Sequence, residues 1–111
     1  MTARLNVALT LETPDRVADG LGGFQLIWRA EGRLWANLRA VGGDQRLAEV
    51  GPSSVASWQI TVRAAPMGDA RRPRADQRFR LGTRVFRIQS VAESDAVGRY
   101  LNCLAKEEGL A

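Results

Sequence analysis

Arginine is the residue type whose clustering in this sequence indicates chemistry. The chain has 111 residues with 16 basic side chains, and Lys106 is its one lysine. From Arg63 to Arg87 there are eight arginines against Asp69 and Asp76, although the net charge of the whole chain is only +4. A guanidinium forks onto phosphate or carboxylate oxygens, so this local excess fits a polyanion or an acidic protein surface. Codon bias in a GC-rich genome would also favour arginine over lysine, but it explains the clustering less well.

Three of these arginines stand close together around a proline. Arg71, Arg72 and Arg74 flank Pro73 within the stretch from Met67 to Gln77. Proline favours an extended backbone, which would project the neighbouring side chains outward. We therefore treat the three arginines as candidates for contact with DNA or with an acidic protein surface. A solvated loop without a partner is the alternative.

The usual catalytic and metal-binding arrangements are missing from the sequence. It contains no histidine, which removes the commonest general base and zinc ligand. A single cysteine, Cys103, excludes an internal disulfide and a CxxC metal site, so we expect it in the core. Ser53 and Ser54 have no histidine to activate them, and the glycines at 20–23 lack the lysine of a phosphate-binding loop. We expect no enzyme activity, no cofactor and no metal.

The chain also lacks the marks of membrane targeting. No basic and then apolar stretch opens the sequence, and no apolar run approaches the ~18 residues of a membrane span. We expect no membrane contact and a protein that is made, or assembled into a particle, in a cytoplasm.

The dominant hydrophobic period is two, which is typical of half-buried strands. Pro14 is expected to end the first strand, and Glu31-Gly32 is expected to be a hairpin turn. Gly82-Thr83 is expected to be a second hairpin turn. The predicted strands are Leu5–Glu12, Phe24–Ala30, Arg33–Val41, Trp58–Ala64, Arg78–Leu81, Arg84–Val91 and Tyr100–Lys106.

This pattern predicts an all-β fold, a small β barrel or sandwich of about six short antiparallel strands in a single domain spanning residues 1–111. Two long loops remain, at Gly42–Ser54 and Met67–Gln77. Loops of that length in a compact domain are usually functional or disordered, so the candidate sites are sought there. Trp28, Trp35 and Trp58 are expected in the core, with a subunit contact or a base-stacking role as the alternatives.

The order of several short signals resembles the head-tail joining family of tailed phages, also called head-closure or stopper proteins, which gene transfer agents share. Each signal is weak alone, and their joint order over most of the chain carries the resemblance. They are Asp19-Gly20-Leu21-Gly22-Gly23, Trp28, Leu34-Trp35-Ala36-Asn37-Leu38, Ile60-Thr61-Val62-Arg63, Arg78-Phe79, Gly82, Phe86-Arg87-Ile88, Tyr100-Leu101, Cys103 and Glu107-Glu108.

The resemblance implies a structural protein of the particle's neck. Such a protein forms a homo-oligomeric ring, six- or twelvefold, below the portal and its adaptor ring and above a tail terminator or tail tube. The ring continues the channel for double-stranded DNA and closes it in the filled head. In this chain the arginine-rich loop Met67–Gln77 departs from the family's pattern, so the sequence does not decide which loop faces the channel.

The resemblance also implies that a loop between early strands plugs the channel. The candidate plug residues are Gly42, Gly43, Asp44, Gln45, Arg46 and Glu49. Arg71, Arg72 and Arg74 then become candidates for contact with DNA or with a neighbouring ring. An OB-like nucleic-acid binding module is the alternative function, and a tail terminator is a third.

Overall fold

The computed structural model describes residues 4–41 and 56–108, and its regular structure there is entirely β-strand. All neighbouring strands are antiparallel, and they close into a barrel in the order β1-β2-β3-β6-β5-β4. The predicted all-β fold is confirmed. The strands are β1 (Val7–Ala18), β2 (Phe24–Val41), β3 (Ser57–Arg63), β4 (Arg78–Leu81), β5 (Arg84–Glu93) and β6 (Tyr100–Glu108).

Alternate residues of every strand point into the barrel, as the period of two requires. Two phenylalanines, Phe79 and Phe86, are the largest side chains that are fully buried there. Cys103 is also completely buried, so its predicted place in the core is confirmed. The buried apolar set is Leu9, Leu11, Ala36, Ile60, Val62, Phe79, Phe86, Ile88, Leu101, Cys103 and Ala105.

The second half of the chain follows the sequence pattern closely. The predicted strand at Trp58–Ala64 is β3, the hairpin about Gly82-Thr83 joins β4 to β5, and the last strand is β6. These segments alternate cleanly because one face is core and the other is solvent, which is the case that periodicity detects best.

The first strand does not end at Pro14, and that prediction is wrong. β1 continues to Ala18. It pairs with β4 only from Thr10 to Glu12, so beyond Glu12 its paired neighbour in the described structure is β2 alone. A proline lacks the N–H group that a central strand needs, but a strand with one free edge tolerates it.

The predicted hairpin turn at Glu31-Gly32 is also wrong, because β2 runs through it as one strand of 18 residues. Leu11 lies opposite Gly32 and Glu12 lies opposite Ala30, so Glu31 is the extra residue of a β-bulge. Gly32 has a φ of +154°, in the region that glycine tolerates best. Gly32 therefore marks a bend within a strand, although the local sequence alone predicts a turn.

The turn that reverses the chain lies earlier, between β1 and β2. The Asp19 carboxylate accepts hydrogen bonds from the backbone N–H groups of Leu21 (2.8 Å) and Gly23 (3.0 Å). Gly20 and Gly22 have φ values of +79° and +87°, which the tight path requires. These hydrogen bonds to the charged form lower the pKa of Asp19.

The distal part of this hairpin projects from the barrel as a two-stranded ribbon, here called the arm (residues 13–30). Its two strands pair with each other from Thr13–Arg29 to Ala18–Phe24. β3 pairs with β2 only from Ala36 onward. Both outer edges of the arm are thus unpaired within the described structure.

Each remaining connection lies at one of the two ends of the barrel, which is set by the direction in which the chain leaves the preceding strand. Segments 64–77 and 94–99 lie at the end near the arm, here called the arm end. Residues 82 and 83 lie at the opposite end, here called the turn end. Val41 and Ser57, which flank residues 42–56, pair with each other at the turn end. The two long segments singled out in the sequence are therefore attached to opposite ends of the barrel.

Replacing Gly32 by valine tests the bulge. A branched side chain disfavours the positive φ, so we expect Gly32→Val to lower the free energy of unfolding by about 1–3 kcal/mol. Urea titration measures the change. Ala30→Val, two residues away on the same strand, is the control and should change stability by less than about 0.5 kcal/mol. Equal effects of the two substitutions would contradict a special role of the bulge.

Candidate functional site

The arm end of the barrel is closed by the segment that precedes β4. Pro73 and Gln77 are buried there. The Gln77 side chain accepts a hydrogen bond from the backbone N–H of Arg74 (2.6 Å) and donates one to the hydroxyl of Thr13 (2.8 Å). The backbone N–H of Ile88 also donates to the Gln77 carbonyl (2.9 Å). This segment is therefore a hydrogen-bonded lid on the barrel.

The lid separates the three candidate arginines. Pro73 is packed inward, so it does not project its neighbours as one patch. Arg72 Nη1 donates to the carbonyl of Ala65 (2.8 Å), which ties that side chain to the preceding segment. Arg71 is exposed, 3.7 Å from the Asp69 carboxylate, and Arg74 is exposed. Arg71 and Arg74 are accordingly the two of the three with exposed side chains.

Arg72 and Arg74 line an open cleft of about 580 Å³ beside the lid. Glu31 supplies a carboxylate and Val91 an apolar wall. Arg71 does not line it. The cleft thus brings two of the candidate arginines, Arg72 and Arg74, together with the carboxylate of Glu31.

The turn end is closed by side chains that reach across the barrel. Arg84 binds the Glu107 carboxylate with two hydrogen bonds, 2.8 Å and 3.1 Å, and the Trp58 indole N–H donates to the same carboxylate at 3.0 Å. The Trp58 ring meets Phe86 edge-on at 6.0 Å. These hydrogen bonds, with the Arg84 bond the largest contribution, lower the pKa of Glu107.

A second buried carboxylate lies on the outside of the barrel. Glu12 accepts from Arg78 at 2.6 Å and from Arg80 at 2.9 Å, and its side chain is almost entirely covered. Burial alone would raise the pKa of Glu12, but the two guanidinium groups outweigh it and hold the pKa below its usual value. Arg78 and Arg80 therefore share one carboxylate, which offsets one of their two positive charges.

The predicted core position holds in part for Trp58, which is half-buried and packs against the buried cluster, and is wrong for Trp28 and Trp35. Trp28 lies on the outer face, where Arg78 and Arg87 stack on its ring at 4.1 Å and 5.0 Å. Trp58 is half-buried in the turn-end closure. Trp35 is 61% exposed. Sequence reasoning missed this because both faces of β2 carry apolar residues, and only pairing shows which face is interior.

The candidate plug residues Gly42, Gly43, Asp44, Gln45, Arg46 and Glu49 lie outside the described residues. Their point of attachment is described, because the flanking Val41 and Ser57 form the last pair of β2 and β3.

The described ranges hold no group of three or more side chains suited to a metal ion. Burial raises the pKa of the Cys103 thiol to about 12, so it is not a nucleophile at neutral pH. Among residues 4–41 and 56–108 there is no helix long and apolar enough to cross a membrane.

Sequence reasoning missed the exposed apolar residues of the arm. Phe24, Leu26 and Ile27 are each about half exposed, and Leu21 at the tip is 90% exposed. The run from Phe24 to Trp28 is apolar on both strand faces, which was the available signal. One face of the ribbon carries Phe24, Leu26 and Trp28, and the other carries Ile27 beside the Asp15–Arg29 ion pair. Exposed apolar side chains grouped in this way mark an interaction surface.

The lowered pKa values of Glu12 and Glu107 predict how the stability of the chain depends on pH. Glu12 and Glu107 have pKa values below the ordinary 4.5, so their stabilisation is fully present above that pH and is lost as the pH falls through the lower folded-state values. Urea titrations from about pH 6 to about pH 3 should therefore show a smaller loss of unfolding free energy for Glu107→Gln than for the unmodified chain.

The same titrations need a matched control. Glu93→Gln removes a carboxylate on an exposed stretch of β5 and should leave the pH dependence nearly unchanged. A Glu107→Gln profile that matches the unmodified chain would contradict the role given to the turn-end closure.

Fold and site together define a small antiparallel barrel with both ends closed and its arginines and arm facing outward. The family model of phage head completion proteins matches residues 1–108, and the chain belongs to that family. The sequence resemblance is thereby confirmed, as are a structural role at the head of a phage-like particle and a location in such a particle.

Solved structures agree with this assignment. A chain from the virion of a native gene transfer agent particle is 50% identical, has a TM-score of 0.81, and matches over 99% of this chain and 100% of that one. Protein SF1141 from Shigella flexneri 2a, known from a solution structure, has a TM-score of 0.67 over 97% of this chain and 96% of that one, and at 22% identity shows a shared fold. No curated protein matches the chain.

Proposed function

We propose that this chain is the ring subunit that closes the DNA channel in the neck of a phage or gene transfer agent particle and offers the attachment surface for the tail. The observation that carries the proposal is the 50% identity, over the full length of both chains, to a component of a native gene transfer agent virion. At that identity the surfaces that contact neighbours are expected to be shared along with the fold.

The shape of the molecule supports a ring. A closed homo-oligomer needs two different patches on each subunit that meet head to tail. The barrel offers a projecting arm on one side and an exposed Trp35 on another. The proposed partners are further copies of this chain in a six- or twelvefold ring, a portal or adaptor ring above, and a tail terminator or tail tube below.

The two ends of the barrel support two different roles. We assign Arg71 and Arg74 at the arm end to contact with channel DNA or with acidic residues of the adjoining ring, because their side chains are exposed. Arg72 takes part through the cleft that it lines with Arg74. Weak contacts of this kind are multiplied around a ring, since every subunit supplies a copy.

We assign the plug to residues 42–49, the segment that follows β2. Arg46 is their one basic residue beside Asp44 and Glu49, so the plug works by steric closure or by pairing between neighbouring loops rather than by binding phosphate. The paired Val41 and Ser57 fix where it leaves the barrel.

The alternative of an OB-like nucleic-acid binding module receives less support. A single-strand binding surface stacks successive bases on several open aromatic faces. Trp28 is covered by Arg78 and Arg87, and Trp58 is engaged with Phe86 and Glu107, so of the three tryptophans Trp35 alone is largely exposed.

Replacing the plug loop tests the closure role. Val41 and Ser57 are directly paired, so a short glycine-containing hairpin loop can replace residues 42–56 without disturbing the barrel. Particles carrying this variant should contain the ring but lose packaged DNA, measured as nuclease-sensitive DNA per capsid. The control exchanges Gly82-Thr83, the tight turn at the same end, for Asn-Gly. Heads that keep their DNA without the loop would overturn the plug assignment.

Removing the exposed arginines tests the arm end separately. Arg71→Gln with Arg74→Gln leaves the hydrogen bond of Arg72 to Ala65 in place, so the lid should stay folded. We expect assembled particles whose DNA leaks more readily at raised salt, because phosphate contacts are lost.

The matched control is Arg4→Gln with Arg99→Gln, which removes the same charge from exposed positions outside the lid. Retention equal to that of unmodified particles would remove Arg71 and Arg74 from the DNA-holding role. Equal leakage of the two double variants would mean that net charge alone is responsible.

A further inference from the structure

The arm is the most exposed apolar feature in the described structure. Phe24 is 62% exposed, Leu26 and Ile27 are about half exposed, and Val17 adds to the second face. An isolated two-stranded ribbon is marginally stable in water, and unpaired edges invite pairing with other chains. Pro14 removes a backbone donor from the β1 side of the arm, which blunts that edge. The arm therefore needs a covering surface.

A surface of matching character lies on the same molecule. The outer face of β2, β3 and β6, here called the neutral face, carries uncharged side chains at most of its central positions. Arg39 lies among them opposite Gln59, and Arg33, Arg63, Lys106 and Glu108 stand around them. Trp35 and Leu104 are its exposed large apolar residues. The central residues are Trp35, Asn37, Gln59, Thr61, Asn102 and Leu104.

Two pairs of polar side chains on the neutral face are hydrogen-bonded to each other. The Thr61 hydroxyl donates to the Asn102 side chain at 2.8 Å, and Arg39 donates to the Gln59 side chain at 2.8 Å. Covering such groups leaves fewer unsatisfied donors and acceptors than covering free ones. Depletion of charge at the centre and an aromatic anchor are also what the core of a protein interface shows. By contrast, the outer face of β4 and β5 carries Arg78, Arg80 and Arg87.

Beside Trp35 lies a shallow cleft of about 180 Å³ lined by Ala8, Arg33 and Leu34. It can receive one apolar side chain of the arm. Leu26 and Trp35 are nine residues apart on one continuous strand, roughly 30 Å at about 3.3 Å per residue, so they do not meet within a chain. The contact has to join two molecules.

We propose that the arm of each subunit docks on the neutral face of a second copy of this chain, with Leu26 or Phe24 against Trp35. The inference rests on the proposed function and names the two patches that form its ring contact. The contact is head to tail, because each copy gives its arm to one neighbour and receives an arm from the other.

Crosslinking within particles tests this arrangement. The variant Leu26→Cys with Trp35→Cys, both at exposed positions, is assembled into particles and treated with a short bismaleimide. Native Cys103 does not interfere because it is buried and its pKa is about 12. We expect a ladder of covalent oligomers of this chain on a denaturing gel. Each single-cysteine variant should give no oligomer beyond a dimer.

Leu26→Cys with Thr83→Cys is the matched control, because Thr83 is exposed in the turn at the far end of the barrel. It should give no ladder. Crosslinks of the arm to a different virion protein, or a ladder from the control as strong as that from the test pair, would overturn the docking proposal.

Formaldehyde treatment of unmodified particles distinguishes an error in the arm contact from an error in the proposal that the chain forms a ring. Self-oligomers with formaldehyde, but none through Leu26→Cys with Trp35→Cys, would leave the ring standing and reject the arm contact. Absence of self-oligomers in both experiments would reject the ring and the arm contact together.

Discussion

Backbone hydrogen bonding along β2 is the constraint on which the rest of the structure depends. From Ala36 to Val41 the strand has partners on both sides and is part of the closed barrel. From Phe24 to Ala30 it pairs with β1 alone and becomes one half of the arm. The bulge at Glu31 and Gly32 stands between these two parts. Because a bulge bends a strand and increases its twist, one continuous strand can wall a small barrel and then leave it.

Closure at both ends turns the barrel into a rigid base for its outer surfaces. At one end the Gln77 amide and Pro73 fill the opening, and at the other end Arg84, Glu107 and Trp58 do so. Each charged group inside these closures has a partner, which a buried charge requires. The interior of the barrel is therefore filled by packed side chains. The surfaces left for contact with other molecules are the arm, the lid and the outward strand faces.

How much of the fold could be predicted from the sequence depends on whether the pairing partners of each strand are close to it in the chain. The hairpin of β4 and β5 and the strands β3 and β6 follow from alternation, because each has one buried face. Glu31-Gly32 and Pro14 were misread because the choice between a turn and a bulge, or between a strand end and a free edge, is made by β4 and β3, which come later in the chain. The arginines illustrate the same limit. Composition found the cluster, but only the structure shows that Arg78 and Arg80 bind the carboxylate of Glu12 while Arg71 and Arg74 are exposed.

The arm also links the stability of the subunit to assembly. Its ordering is held by the ladder between β1 and β2, by the Asp19 turn and by a surface ion pair between Arg29 and Asp15 at 3.0 Å. An exposed pair of this kind contributes little, on the order of 0–1 kcal/mol. The arm should therefore open more easily than the barrel in the free chain, as local opening follows low packing density. Under the proposed docking, a neighbour that buries Phe24 and Leu26 adds the missing packing and stabilises the arm.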